Sequence, residues 1–195
     1  MSLPALIATW SIAGFYASLG PALLEHLLDS RSALVGGLAL GILAGLGTAA
    51  VLAVRTVPAR TVTLIGAISM VLGLAVTELA LTVVPPALFF AGTVIAGVGF
   101  GSAFQGAVRS IVEVTGALER AGVLSLIWIV SYLANGVPAV LAGAVVASGA
   151  SVLVTARVYA LAVMVLVAAT VVEVLLLRTR SGSSAARGVE ERQSA

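Results

Sequence analysis

Six stretches of this chain run for about twenty residues each with almost no charge, the length that a helix needs to cross a bilayer. They cover roughly 4–24, 33–54, 61–84, 87–108, 121–147 and 153–177. A hydrocarbon layer of about 30 Å is spanned by such a stretch at about 1.5 Å per helical residue. A membrane barrel needs strands of alternating polarity, and "VLGLAVTELALTVV" and "VYALAVMVLVAATVVEVLLL" do not alternate. In lipid every backbone N–H and C=O must be satisfied internally, so helices are left. Charged residues make up 9% of the chain and hydrophobic residues 61%. Soluble domains carry about 25% charged residues, and this composition in water would expose large apolar patches. The expected fold class is therefore an all-α membrane protein with six transmembrane helices in one domain, 1–178. The polar stretch "RTRSGSSAARGVEERQSA" gives an expected disordered tail over 179–195. The first apolar stretch lacks a charged leader and fits a spanning helix better than a secretory signal. There is no cysteine, which removes disulfides and thiolate metal sites from consideration.

All ten basic residues are arginine. Arg55 and Arg60 flank the second connection, Arg109 and Arg120 flank the fourth, and Arg178, Arg180, Arg187 and Arg192 lie in the tail. On the opposite side are Arg31, offset by Glu25 and Asp29, and Arg157. The third connection, "VVPPAL", has no arginine. By the positive-inside rule this distribution places both termini in the cytoplasm, as expected of a multi-pass protein of the cell membrane.

The stretch "IAGVGFGSAFQGAVRS" invites comparison with a phosphate-binding turn, but "GVGFGS" fails G-x-G-x-x-G at its last position. A Walker motif also needs a lysine, and the chain has none. In a membrane helix, small residues four apart let a neighbouring backbone approach closely. Gly97 and Gly101 have that spacing, and the same face continues to Gln105 and Arg109. Gln105 is thus expected to point into protein. "GGLALGILAGLG" places Gly37, Gly41 and Gly45 on one face of the second helix, a second expected packing stripe.

Other polar residues interrupt the apolar stretches. Trp128, Tyr132 and Asn135 share one face of the fifth helix, with Tyr132 and Asn135 too deep for an interfacial belt. Asn135 is either a hydrogen-bonding link between helices or a cavity-lining group. Gly136 and Pro138 follow it, and Gly20 and Pro21 stand near the outer end of the first helix; both pairs are expected hinges. Ser11, Gly14, Phe15 and Ser18 form a weakly polar face. Glu78 lies inside the third helix, where an acid is a functional candidate by default. Glu173 and Arg157 lie near helix ends and are expected to snorkel to the surface. His26, beside Glu25, is expected in a solvated loop or as a pH sensor.

Taken together, "AGVGFGSAFQGAVRS", "ERAGVLSLIWIVSYLANGVPAVLAG" and "WSIAGFYASLGPAL" resemble the tenth, eleventh and seventh helices of the major facilitator superfamily. The resemblance runs from residue 1 to about 178 and implies the C-terminal six-helix half of such a transporter, itself an inverted 3+3 repeat. It implies that the first, second, fourth and fifth helices border a cavity. Ser11, Phe15, Gln105, Trp128, Tyr132 and Asn135 then become the expected lining, and Glu78 moves to the periphery. "VRTVPAR" keeps Arg55 and Arg60 of the family's gating loop but not its acidic residue or glycines. Glu119 and Arg120 close the next cytoplasmic loop.

The function expected from the resemblance is secondary-active transport of a small solute by alternating access, with a proton gradient as the candidate driving force. A half of this kind needs an opposing wall, from a second copy or from a separate N-terminal half. The alternative is a truncated membrane scaffold that binds other helices without transporting. An intramembrane serine protease would need a deep base beside Ser102, and the only histidine is in the first connection. No catalytic group, cofactor, metal site or nucleic-acid surface is expected.

Overall fold

The computed structural model describes residues 3–28, 33–83 and 85–193, without the side chains of 33, 35 and 176–193. Asp29 and Arg31 of the first connection lie outside the described residues. Seven helices follow one another: α1 (Leu3–Ser18), α2 (Gly20–Leu28), α3 (Ala33–Ala53), α4 (Ala59–Val83), α5 (Pro86–Glu113), α6 (Arg120–Ala147) and α7 (Val152–Gln193). Among the described residues there is no strand. Five helices are long and apolar enough to cross a bilayer, and the bent pair α1–α2 passes the same test of length and composition only when its two halves are taken together. These are the lengths and composition of a multi-pass membrane protein.

The bend between α1 and α2 is 47° and falls at Gly20 and Pro21. Proline has no N–H to continue the ladder, so the axis turns where the sequence places Gly-Pro. Pro21 then packs against Gly36 of α3, where an added Cβ would lie 3.0 Å from the proline ring. Glu25 and His26, expected in a loop, instead occupy exposed positions on α2. The helical pattern persists because "ALLEHLL" contains strong helix formers. At the other end of the chain, α7 carries helical backbone through to Gln193, across the stretch whose polarity predicts disorder. An existing helix end needs no nucleus to grow, and Ala, Arg, Glu and Gln propagate it readily.

Two helices organise the bundle. α5 packs against α4 and α3, while α1 packs against α6 and α7 and also meets α5. The α4–α5 pair is the most extensive contact and explains five of the seven glycines on those two helices. On α5, Gly92, Ala96, Gly99, Ala103 and Gly106 recur at alternating steps of four and three. On α4, Thr63, Gly66, Met70, Gly73 and Thr77 do the same. A mean step of about 3.5 residues keeps one seam facing the partner along the whole length. The fit is close enough that a methyl on Gly66 would collide with the Ala103 backbone, and one on Gly73 with that of Ala96. Lipid tails are as apolar as leucine, so this backbone-to-backbone packing is what holds the pair together. The threonine hydroxyls in the seam donate to carbonyls of their own helix, Thr63 to Ala59 at 3.0 Å and Thr77 to Gly73 at 2.9 Å. Their polar groups are thereby satisfied without water. The short link at 84–85 forces α4 and α5 antiparallel, and Pro86 opens α5 where no intrahelical donor is needed.

Candidate functional site

The stripe Gly97–Gly101–Gln105–Arg109 sits on a different face of α5, toward α3. A methyl on Gly101 would land on the Gly47 carbonyl, and one on Gly97 would lie 2.9 Å from the Leu43 carbonyl oxygen. At the end of the stripe, the Arg109 guanidinium donates to the carbonyls of Val57 at 2.8 Å and Arg55 at 3.3 Å. It fastens the α3–α4 connection from a helix more than fifty residues away. Gln105 stands between the two contacts, and its Oε1 is buried with no hydrogen-bond partner. The Gln105 side chain as a whole is half-buried.

The second glycine stripe is a correction. Gly37, Gly41 and Gly45 are exposed, and a Cβ on any of them would meet nothing within 4 Å. α3 packs instead through Gly36, Ala39, Leu43, Gly47 and Ala50, on nearly the opposite side of the helix. Both faces are equally apolar, so spacing alone does not tell which one meets protein.

Beside Gln105 lies a cluster of five aromatic rings from three helices. Trp10 of α1 is its centre: its ring centroid is 6.0 Å from Phe100 and 5.8 Å from Phe104 on α5. It is 6.1 Å from both Trp128 and Tyr132 on α6. The Trp10 indole Nε1 is buried without an acceptor. Trp128 and Tyr132 stack along α6 with centroids 6.1 Å apart, and are 47% and 67% exposed. The result is an aromatic wall open on the α6 side. Trp10 itself carries an unpartnered donor, Nε1, and Gln105, which follows Phe104 on α5, carries an unpartnered acceptor, Oε1.

Trp10 is the residue that sequence reasoning passes over. It lies seven residues from the start of α1, about 10 Å along the axis at 1.5 Å per residue. That depth is beyond an interfacial belt and was the available signal.

Ser11 and Phe15, expected on the wall, are inside the packing. Phe15 is fully buried edge-on against Tyr16 and Tyr159, with centroids at 5.3 and 5.6 Å. The Ser11 hydroxyl donates across to the Ala134 carbonyl of α6 at 3.2 Å. Ala134 is four residues before Pro138, which stands inside a continuous α6. Proline cannot donate to that carbonyl, so Ser11 occupies the vacancy in the ladder. Pro138 is therefore accommodated inside the helix, where a hinge was expected. Gly136 has no neighbour within 4 Å of an added Cβ. Asn135 is half-buried, and its backbone carbonyl faces Gly14, where a methyl would sit 2.5 Å from the oxygen. The Tyr159 hydroxyl completes this junction by donating to the Ser11 carbonyl at 3.0 Å.

The charged residues fall into two groups. Glu78 of α4 and Arg157 of α7 approach to 3.9 Å, with the Arg157 side chain still largely exposed and that of Glu78 mostly buried. Arg55, Arg60, Glu119 and Arg120 are exposed at the opposite end. Ser102 is fully buried, and its hydroxyl has no partner among the described residues. His26 lies on α2, far along the chain from it. No protein-family model matches the chain, and neither does any curated protein.

Proposed function

We propose that the chain is a six-span unit of a secondary-active transporter, moving a small neutral or weakly charged solute by alternating access. In this reading the solute meets the wall of Trp10, Gln105, Trp128, Tyr132 and Asn135. The opposing wall comes from a second copy or from a separate N-terminal half. The observation that carries the reading is the pair of buried, unpartnered polar atoms, Trp10 Nε1 and Gln105 Oε1, beside an open aromatic face. Buried polar atoms are almost always paired, and orphans of opposite sense on α1 and on the neighbouring α5 suit a ligand with both a donor and an acceptor.

The packing pattern adds support. Counting α1–α2 as one span, α1 meets α6 as α5 meets α3, and α1 meets α7 as α5 meets α4. Exchanging the first three spans with the last three maps each pair onto the other, the pattern of an inverted repeat. The likeness to the major facilitator superfamily is part of this proposal.

The test is flux into proteoliposomes under an imposed proton gradient, across a panel of small amphipathic solutes. Gln105→Ala and Asn135→Ala are expected to abolish flux while circular dichroism stays unchanged. Flux that survives both substitutions would remove the wall from the mechanism. A non-transporting scaffold is the second reading, favoured by the exposed Gly37, Gly41 and Gly45 face that none of the described residues covers. The chain has no cysteine, so Tyr132→Cys gives a single cross-linking site. Cross-linking between copies favours the paired transporter, and a strict monomer without flux favours the scaffold.

A further inference from the structure

A cavity of about 310 Å³ lies at the arginine-bearing end of the bundle, away from the aromatic wall. Four helices reach it: α1 near its start, α4 at its start, α5 at its end, and α7 in its last apolar turn. Its polar lining is Arg60, Thr63, Ser110, Glu113, Thr170 and Glu173. Ala5, Val114 and Val174 make it apolar on its remaining sides. Thr63 and Thr170 have spent their hydroxyl protons on their own helices, leaving oxygen lone pairs free. Arg60, Glu113 and Glu173 line one cavity, yet none of them is in an ion pair among the described residues. The Glu173 Oε2 atom is buried and has no partner.

The charges are sorted in space. Arg60 stands in the first turn of α4, where the unbonded N–H groups and the helix dipole favour an anion. Glu113 is the last residue of α5, where the dipole favours a cation. The cavity is therefore dipolar, with an anion-accepting side at α4 and a cation-accepting side at α5 and α7. Its volume corresponds to roughly ten waters. It lies where the candidate spans end, the level at which helices of bilayer length meet lipid headgroups.

We propose that this cavity binds the phosphoethanolamine headgroup of a membrane phospholipid. The phosphate lies against Arg60 and the α4 N-terminus, and the ammonium donates to Glu113 and Glu173. An ammonium with three N–H donors satisfies two carboxylates, whereas a trimethylated choline has none to give. The cavity thus distinguishes ethanolamine from choline by hydrogen bonding as well as by bulk. A lipid held there ties α1, α4, α5 and α7 together at one end. The inference is independent of which solute the chain moves.

The test uses the purified full chain in mild detergent, titrated with short-chain phosphatidylethanolamine, phosphatidylcholine or phosphatidylglycerol. Binding is read as the upward shift in unfolding temperature and by native mass spectrometry. The expected order is ethanolamine above choline and glycerol. Glu113→Gln weakens ethanolamine binding by about tenfold, the loss of one charge-assisted hydrogen bond, without changing choline binding, whereas Arg60→Gln, which faces the phosphate common to the three lipids, weakens each of them. Glu113→Lys, at an exposed helix end where folding is not at stake, abolishes the preference. Equal binding of the three lipids, or a preference unmoved by Glu113→Lys, overturns the proposal. Tighter binding of the glycerol lipid overturns it too, because that reduces the cavity to an arginine site. Soluble phosphoethanolamine binding as tightly as the lipid would overturn the lipid assignment in favour of a free zwitterion.

Discussion

The Ser11–Pro138 relation makes a quantitative prediction that isolates one hydrogen bond. Ser11→Ala removes the hydroxyl that reaches the Ala134 carbonyl at 3.2 Å, in a position 2% exposed. That carbonyl has no backbone donor, because residue 138 is proline. Leaving a buried carbonyl unpaired in an apolar medium costs about 1–2 kcal/mol. In a Pro138→Ala background, an N–H returns at position 138 and can bond the same carbonyl. Ser11→Ala then removes a bond that the helix no longer needs, and its effect falls toward zero. The cycle is expected to show a coupling of about 1 kcal/mol, above the roughly 0.3–0.5 kcal/mol scatter of independent sites. The assay is reversible unfolding of all four proteins in bicelles by steric trapping, with biotin tags on introduced cysteines in an otherwise cysteine-free chain. Strict additivity would refute the reasoning, and so would a larger loss from Ser11→Ala in the Pro138→Ala background than in the parent.

Three other outcomes follow from the packing. Gly101→Ala drives a methyl into the Gly47 carbonyl and is expected to destabilise by about 1–3 kcal/mol. Gly41→Ala, with nothing within 4 Å, is expected to stay within about 0.5 kcal/mol or to stabilise, and thermal unfolding in detergent separates the two. Glu78→Gln leaves Arg157 without its acid and is expected to lower stability by about 1 kcal/mol. Adding Arg157→Gln restores part of that loss, and a double-mutant cycle without coupling would show that the pair does nothing. Trp10→Phe keeps a ring at the centre of the aromatic cluster and removes an indole N–H that has no acceptor. It is expected to change unfolding stability by no more than about 1 kcal/mol, and a clearly larger loss would mean that the N–H is bonded.

The spans were legible because bilayer thickness fixes helix length, and no competing element satisfies the backbone in lipid. The Gly97–Gly101–Gln105–Arg109 stripe was legible for the same kind of reason: a polar group on a small-residue face has nowhere else to go. The stripe at Gly37, Gly41 and Gly45 misled, because in lipid an apolar face is equally comfortable against protein or acyl chains. The larger α4–α5 seam was hidden by its rhythm. Its step alternates between four and three, so it shows only when Gly92, Ala96, Gly99, Ala103 and Gly106 are matched to their counterparts on α4. Ser11 was misassigned to a cavity because its partner is a backbone carbonyl 123 residues away. Pro138 announced a vacant acceptor at Ala134, but nothing in the sequence pairs α1 with α6.

The uneven distribution of close contacts has a mechanical meaning. α3, α4 and α5 touch backbone to backbone along two glycine faces, and Arg109 rivets their shared connection. These three spans behave as one stiff plank. α6 leans chiefly on α1, meets α7 lightly, and turns most of its surface outward. The α1–α6 joint is thus what chiefly ties α6 to the other spans. That joint carries the Ser11 bond, the Gly14–Asn135 contact and the packing of Trp10 on Trp128 and Tyr132, so loosening any of these is expected to be felt first at α6.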